Sequence, residues 1–127
     1  PRSWRSGHSY LVDPQFVCEV IEKADCGFLL DLAHARVSSA TLQKPIHDYI
    51  GELPLHRLIE VHVSGPRVNG NGRLWDAHDS LQEEDYALLD WVLSRSRPAA
   101  VTLEYWRDAT SLTHQLKRLG QVIENLP

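Results

Sequence analysis

"LIEVHVSG", residues 58–65, alternates apolar and polar side chains for six positions and then runs into a glycine-rich stretch, "SGPRVNGNG" (64–72). Period-two alternation bounded by turn residues reads as a β-strand followed by a loop, with His62 at the carboxyl end of the strand. Two further segments have the same character. "FLLDL" (28–32) is a compact apolar run of buried-strand length, although so short a run also fits a buried helix segment, and "AAVTLEYW" (99–106) is a third strand. Helical patterns lie between and around them. Asp13-Pro14 reads as an N-cap with proline at N1, opening a helix on which Phe16, Val17, Val20 and Ile21 recur until Gly27. Residues 45–57 read as a short helix and turn between prolines. Ser80-x-x-Glu83 is a capping-box signature for a helix to about residue 95, with Tyr86, Leu89 and Leu93 on one face. Leu112, Leu116, Leu119 and Ile123 stripe a last helix.

Strands that alternate with helices predict an α/β fold with a parallel sheet and covering helices. About three strands are too few for a complete (β/α) TIM barrel, which takes about 250 residues. The expectation is therefore a partial barrel, a small open sheet, or a half-barrel completed by pairing. In a half-barrel the uncovered inner face of the sheet is expected to be apolar and to be covered by a missing amino-terminal half, by a second copy or by a rearranged packing.

Composition sets the bounds. At 127 residues, 43% hydrophobic and 24% charged, the chain predicts one globular domain, residues 1–127, with a single core. A net charge of −4 with scattered Lys and Arg leaves no basic stripe, so neither nucleic acid nor an anionic membrane is an expected partner. The sequence has no apolar run of about 18 residues and no signal-peptide pattern. Cys18 and Cys26 lack CxxC spacing, which predicts a reducing, cytoplasmic setting.

Seven histidines are more informative than the two cysteines. Asp31 stands at the carboxyl end of the first strand, with His34 three residues on. His62 ends the second strand, Glu104 ends the third, and Asp76 and His78 lie in the loop after the second. Taken singly, each reads as a helix cap, a satisfied core polar group or an ion-pair partner. Together they place three histidines and three carboxylates at one end of a parallel sheet, the end at which such folds gather their ligands. A carboxylate ending an apolar strand is costly to bury unless a cation or hydrogen bonds compensate it. Without a thiol among them, the donors suit iron, manganese or zinc rather than a structural zinc. Asp79 reads as a carboxylate that orients His78, with the cap of the next helix as the alternative. His8, His47, His56 and His114 fall in loops or on helix faces and read as ordinary surface or core residues. Trp75, Tyr105 and Trp106 adjoin the candidate ligands and fit core packing as well as substrate stacking.

"CGFLLDLAHARVSS", "LPLHRLIEVHVSG", "DAHDS" and "VTLEYWRDA", in that order, resemble the carboxyl-terminal half of the multinuclear non-haem iron-dependent oxidases. That family was long known only as a domain of unknown function and includes the iron oxidase of methanobactin biosynthesis. The likeness runs from about residue 10 to about residue 120. It implies a TIM-type barrel similar to xylose isomerases, with two or three irons at its carboxyl face. Asp31, His62 and Glu104 would hold the central iron; His34, Asp76 and His78 would hold a neighbouring one. It also implies oxygen-dependent modification of cysteine residues in ribosomally made precursor peptides, often presented by a partner protein. In the family a preceding half supplies two more histidines and a bridging glutamate. The likeness here begins just past that glutamate, so this chain is expected to be the carboxyl-terminal part of a barrel, incomplete or inactive alone. No side chain is assigned a catalytic role beyond metal ligation. The competing readings are a zinc or manganese hydrolase or isomerase of related barrels, and a non-catalytic half-barrel.

Overall fold

The computed structural model describes residues 11–126. Helix α1 (Pro14–Ala24) starts where the Asp13 carboxylate accepts the Gln15 N–H at 3.2 Å, with Pro14 in the first turn. It stops at Asp25, whose left-handed backbone (φ 48°) lets its N–H return to the carbonyls of Glu22 and Ile21. Strand β1 (Phe28–Asp31) follows, then α2 (Leu32–Thr41), α3 (Ile46–Gly51) and a 3₁₀ turn (Leu55–Arg57). β2 (Leu58–Val63) leads into a hairpin of β3 (Gly65–Val68) and β4 (Leu74–Asp79), then α4 (Glu83–Leu93), β5 (Ala100–Leu103) and α5 (Ala109–Glu124).

The main sheet has the order β1-β2-β5, and both pairings are parallel. The register pairs Asp31 with His62, His62 with Thr102 and Val63 with Leu103. The three strands therefore end together. Side-chain alternation turns Phe28, Leu30, Val61 and Val63 to the helices, where all four are buried. Ile50, Val61, Leu89 and Val92 are fully enclosed in that core. Burying each such side chain contributes about 1.5–3 kcal/mol.

The opposite face departs from expectation. Leu29 stands out at 45% exposure, but Glu60 and His62 share its side of the sheet and Thr102 reaches Glu60 there, so the open face is largely polar rather than apolar. Three other expectations are corrected. The stretch 64–79 is not a loop but the antiparallel hairpin β3–β4, so Asp76 and His78 stand on a strand. Its tip is set by Asn69, whose side-chain oxygen accepts the N–H groups of Asn71 and Arg73, both at 3.0 Å. Helix α4 begins at Glu83 rather than Ser80: the Asp85 carboxylate accepts the Gln82 N–H at 2.8 Å, while the Ser80 carbonyl is taken by Arg67. On α5 the buried positions are Gln115 and Leu119, whereas Leu116 and Ile123 are 51% and 44% exposed. Gln115 turns inward because its Oε1 accepts the Leu81 N–H at 2.8 Å, joining the helix to the end of the hairpin segment.

Among the described residues no helix is long and apolar enough to cross a membrane. Cys18 and Cys26 are both free thiols.

Candidate metal centre

The strand ends bring the six expected side chains to one place. Asp31 is the last residue of β1 and also the N-cap of α2, its Oδ1 accepting the His34 N–H at 2.9 Å. That cap fixes where the first turn of α2 places the His34 ring. His34 Nε2 donates to Asp76 Oδ2 at 2.9 Å, and His34 Nδ1 is 3.6 Å from Asp31 Oδ2. His78 Nε2 donates to the same Asp76 oxygen at 2.6 Å and is 3.8 Å from Glu104 Oε2. His62 Nδ1 is 3.1 Å from Glu104 Oε1. Glu104 is held at the strand end because its N–H donates to the Val63 carbonyl at 2.9 Å, extending the β2–β5 ladder by one bond.

Among the described residues, two sets of donor atoms are close enough to share an ion. Asp31, His62 and Glu104 form one, Asp31, His34 and Asp76 the other, and within each the donor atoms lie within 4.8 Å of one another. Asp31 belongs to both. His78 stands beside the second set through Asp76 rather than within it.

The electrostatics match a site built for positive charge. Burial, followed by the neighbouring charges of Asp76 and Glu104, pushes the Asp31 carboxyl above its ordinary value against the pull of His34. Burial also acts to raise Asp76, but hydrogen bonds from His78 and Ser64 and the charges of both histidines outweigh it and hold that carboxyl below the usual range. His78 is unusual in two respects: its φ is 47°, the left-handed region that non-glycine residues seldom occupy, and its Nδ1 is buried without a partner. Three gathered carboxylates, three imidazoles and an orphaned ring nitrogen fit a hard-to-borderline divalent cation.

The Asp79 carboxylate accepts the Ser80 N–H at 2.7 Å and engages Arg107 at 3.1 Å and Arg67 at 3.5 Å, rather than the His78 ring beside it. The Ser80 N–H, then the two guanidiniums, keep the Asp79 carboxyl below its ordinary value. Arg107 also donates to the Ala77 carbonyl at 2.9 Å, tying β4 to the loop after β5. The hairpin can lie this close because position 65 is glycine: a Cβ there would come within 2.1 Å of the Ser80 carbonyl oxygen.

Glu60 escaped the sequence reading, although period-two spacing puts it on the same face as His62. Its Oε1 accepts Thr102 Oγ1–H at 2.7 Å and His62 Nε2–H at 3.1 Å. Trp106, 72% exposed, stacks edge-on against the His78 ring with centroids 5.2 Å apart, whereas Tyr105 is buried and donates to Asp108 at 2.8 Å. Trp75 is 48% exposed. The remaining histidines stay apart from the donor groups: His47 packs on Trp91, His56 donates to Glu22, and His114 is exposed on α5. His8 lies outside the described residues.

The family model described as "RiPP precursor modification enzyme MbnB/TglH/ChrH" matches residues 3–125. The chain is 29% identical over 119 residues to a UPF0276 protein of Bordetella pertussis, covering 90% of this chain and 41% of the relative. It is 31% identical over 101 residues to a UPF0276 protein of Bordetella bronchiseptica, covering 76% and 35%. With the UPF0276 protein of Psychromonas ingrahamii it shares 27% over 120 residues, covering 91% and 40%. The chain thus spans about two fifths of the length of the curated relatives it matches.

Proposed function

The chain belongs to the MbnB/TglH/ChrH family of RiPP precursor modification enzymes, and from that membership we propose that it carries the metal-binding face of an iron-dependent oxidase acting on cysteine residues of ribosomally made precursor peptides. In this reading the three-stranded sheet is part of a TIM-type barrel. Further strands, from the same polypeptide or a second copy, cover its open face. The enzyme works in the cytoplasm, with a peptide-presenting protein as its partner class. The observation that carries the reading is the pair of donor sets sharing Asp31, each with its atoms within 4.8 Å.

Asp31, His62 and Glu104 would hold one ion and His34 and Asp76 the other, with Asp31 shared between them and His78 beside Asp76. Iron bound there would supply one-electron chemistry with dioxygen, which imidazole and carboxylate ligation suits. The chain's own side chains do the rest. Ser64 Oγ–H occupies Asp76 Oδ1 at 3.1 Å, leaving Oδ2 as the oxygen that faces His34 and His78. Trp106 shields one edge of His78 from water. Arg67 and Arg107, joined through Asp79, hold the hairpin that carries Asp76 and His78 against the end of β5.

The experiment is metal analysis of protein purified without oxygen. Bound iron is expected, lost in His34→Ala and more completely in Glu104→Ala, whose removal leaves the charge of the central ion less compensated. His114→Ala, on the exposed side of α5, keeps its iron. Stoichiometric zinc with phosphoesterase activity would overturn the oxidase reading, and iron lost from His114→Ala but kept by His34→Ala would overturn the site.

A further inference from the structure

We propose that Glu60 is a positioning residue of this centre: anchored by Thr102, its carboxylate takes the Nε2–H of His62 and thereby leaves Nδ1, as the lone-pair nitrogen, for the ion that Asp31 and Glu104 would hold with it. The inference rests on the metal reading above and names a part of the site that ligand spacing does not disclose.

Three observations carry it. Glu60 and His62 are two apart on β2 and share the open face of the sheet, while Thr102 is the register partner of His62 on β5. The Glu60 carboxylate is fixed from two sides, by Thr102 Oγ1–H at 2.7 Å and His62 Nε2–H at 3.1 Å. The other ring nitrogen, Nδ1, points at Glu104 Oε1, 3.1 Å away, and His62 is in the donor set with Asp31 and Glu104, whereas Glu60 is in neither set. A neutral imidazole has one donor and one acceptor nitrogen, and the partner of the first decides which nitrogen is left for a cation. A carboxylate behind a metal-binding histidine also limits rotation of the ring and raises its basicity. Thr102 completes the arrangement by keeping the Glu60 carboxylate from swinging up into the donor sets.

The test uses the full chain without oxygen, titrated with ferrous ion alone, for wild type, Glu60→Ala, Glu60→Gln and Thr102→Val. The His62 tautomer is read by nitrogen-15 NMR on the zinc-loaded proteins, zinc standing in as a diamagnetic ion. Wild type is expected to hold the Nε2-protonated tautomer. Glu60→Ala should lose that preference and bind ferrous ion about tenfold or more weakly. Glu60→Gln, whose amide oxygen still accepts the Nε2–H, should remain near wild type, and Thr102→Val should fall between. If Glu60→Ala fails to fold, Thr102→Val carries the comparison. Unchanged affinity and tautomer in these variants would overturn the inference while leaving the metal reading intact. Glu60→Gln as weak as Glu60→Ala would overturn it too, since the charge rather than the acceptor would then matter. A wild-type chain that takes up no ferrous ion would overturn the metal reading and this inference with it.

Discussion

Asp108 closes the N-terminus of α5, its Oδ1 accepting the Ser111 N–H at 2.7 Å and its Oδ2 the Tyr105 hydroxyl at 2.8 Å. The Ser111 bond first, then the Tyr105 bond, hold this carboxyl below its ordinary value of 3.8. A depressed carboxyl stabilises the fold above the unfolded value, and that contribution disappears as pH falls through the folded value. Asp108→Asn keeps an acceptor at the cap but cannot titrate. Its melting temperature should therefore fall less steeply than that of wild type below about pH 4, and parallel acid limbs in thermal melts would contradict the assignment. At this scale the sequence is a good guide wherever chemistry follows from position along a strand: Asp31, His62 and Glu104 were legible because each ends an apolar run. Asp79 was not, because its partners Arg67 and Arg107 come from other segments, and nothing in D-x-H-D spacing shows which side of β4 they approach.

Between elements, a partly buried polar link joins α2 to α4. Arg36 Nη1 donates to Asp85, whose side chain is only 5% exposed, and Nη2 pairs with Glu84 at 2.9 Å. Burial pushes the Asp85 carboxyl up even against the Gln82 N–H and Arg36, so that N–H and the guanidinium together are what make its charged form tolerable there. Removing one partner of a buried pair strands the other. Arg36→Met is expected to destabilise by about 3 kcal/mol in denaturant titration, and adding Asp85→Asn should recover part of the loss. A change no larger than that of an exposed pair would show that water screens the link. The main strands and four of the five α-helices were legible in the sequence from periodicity and caps; α2, which no helical pattern announced, and the hairpin were not. β3 is four residues with a glycine and a proline, too short and too turn-like to display alternation, and it becomes a strand because Arg67 and Gly65 fit against the Ser80 carbonyl. The α5 stripe misled for a related reason: a buried glutamine satisfied by Leu81 displaced Leu116 from the core side.

For the molecule as a whole, the gathered acids make the metal-free fold bear mutual repulsion that burial sharpens at Asp31. A cation that binds only the folded state should therefore raise stability, by about 2.7 kcal/mol when free metal is roughly 100 times Kd. Thermal melts with ferrous ion should move upward and return on chelation, and identical melts would remove the link between site and fold. The donors also have a consequence for the order of events during synthesis. Neither donor set lies within one segment: the shared Asp31 must meet Asp76 from the hairpin, or His62 and Glu104 from the two other strands of the sheet. Closing those distances is the slow, non-local part of folding. A nascent chain on the ribosome has the residues of the Asp31, His34 and Asp76 set once residue 76 has emerged and those of the Asp31, His62 and Glu104 set only after residue 104, so a cation would meet the first set before the second.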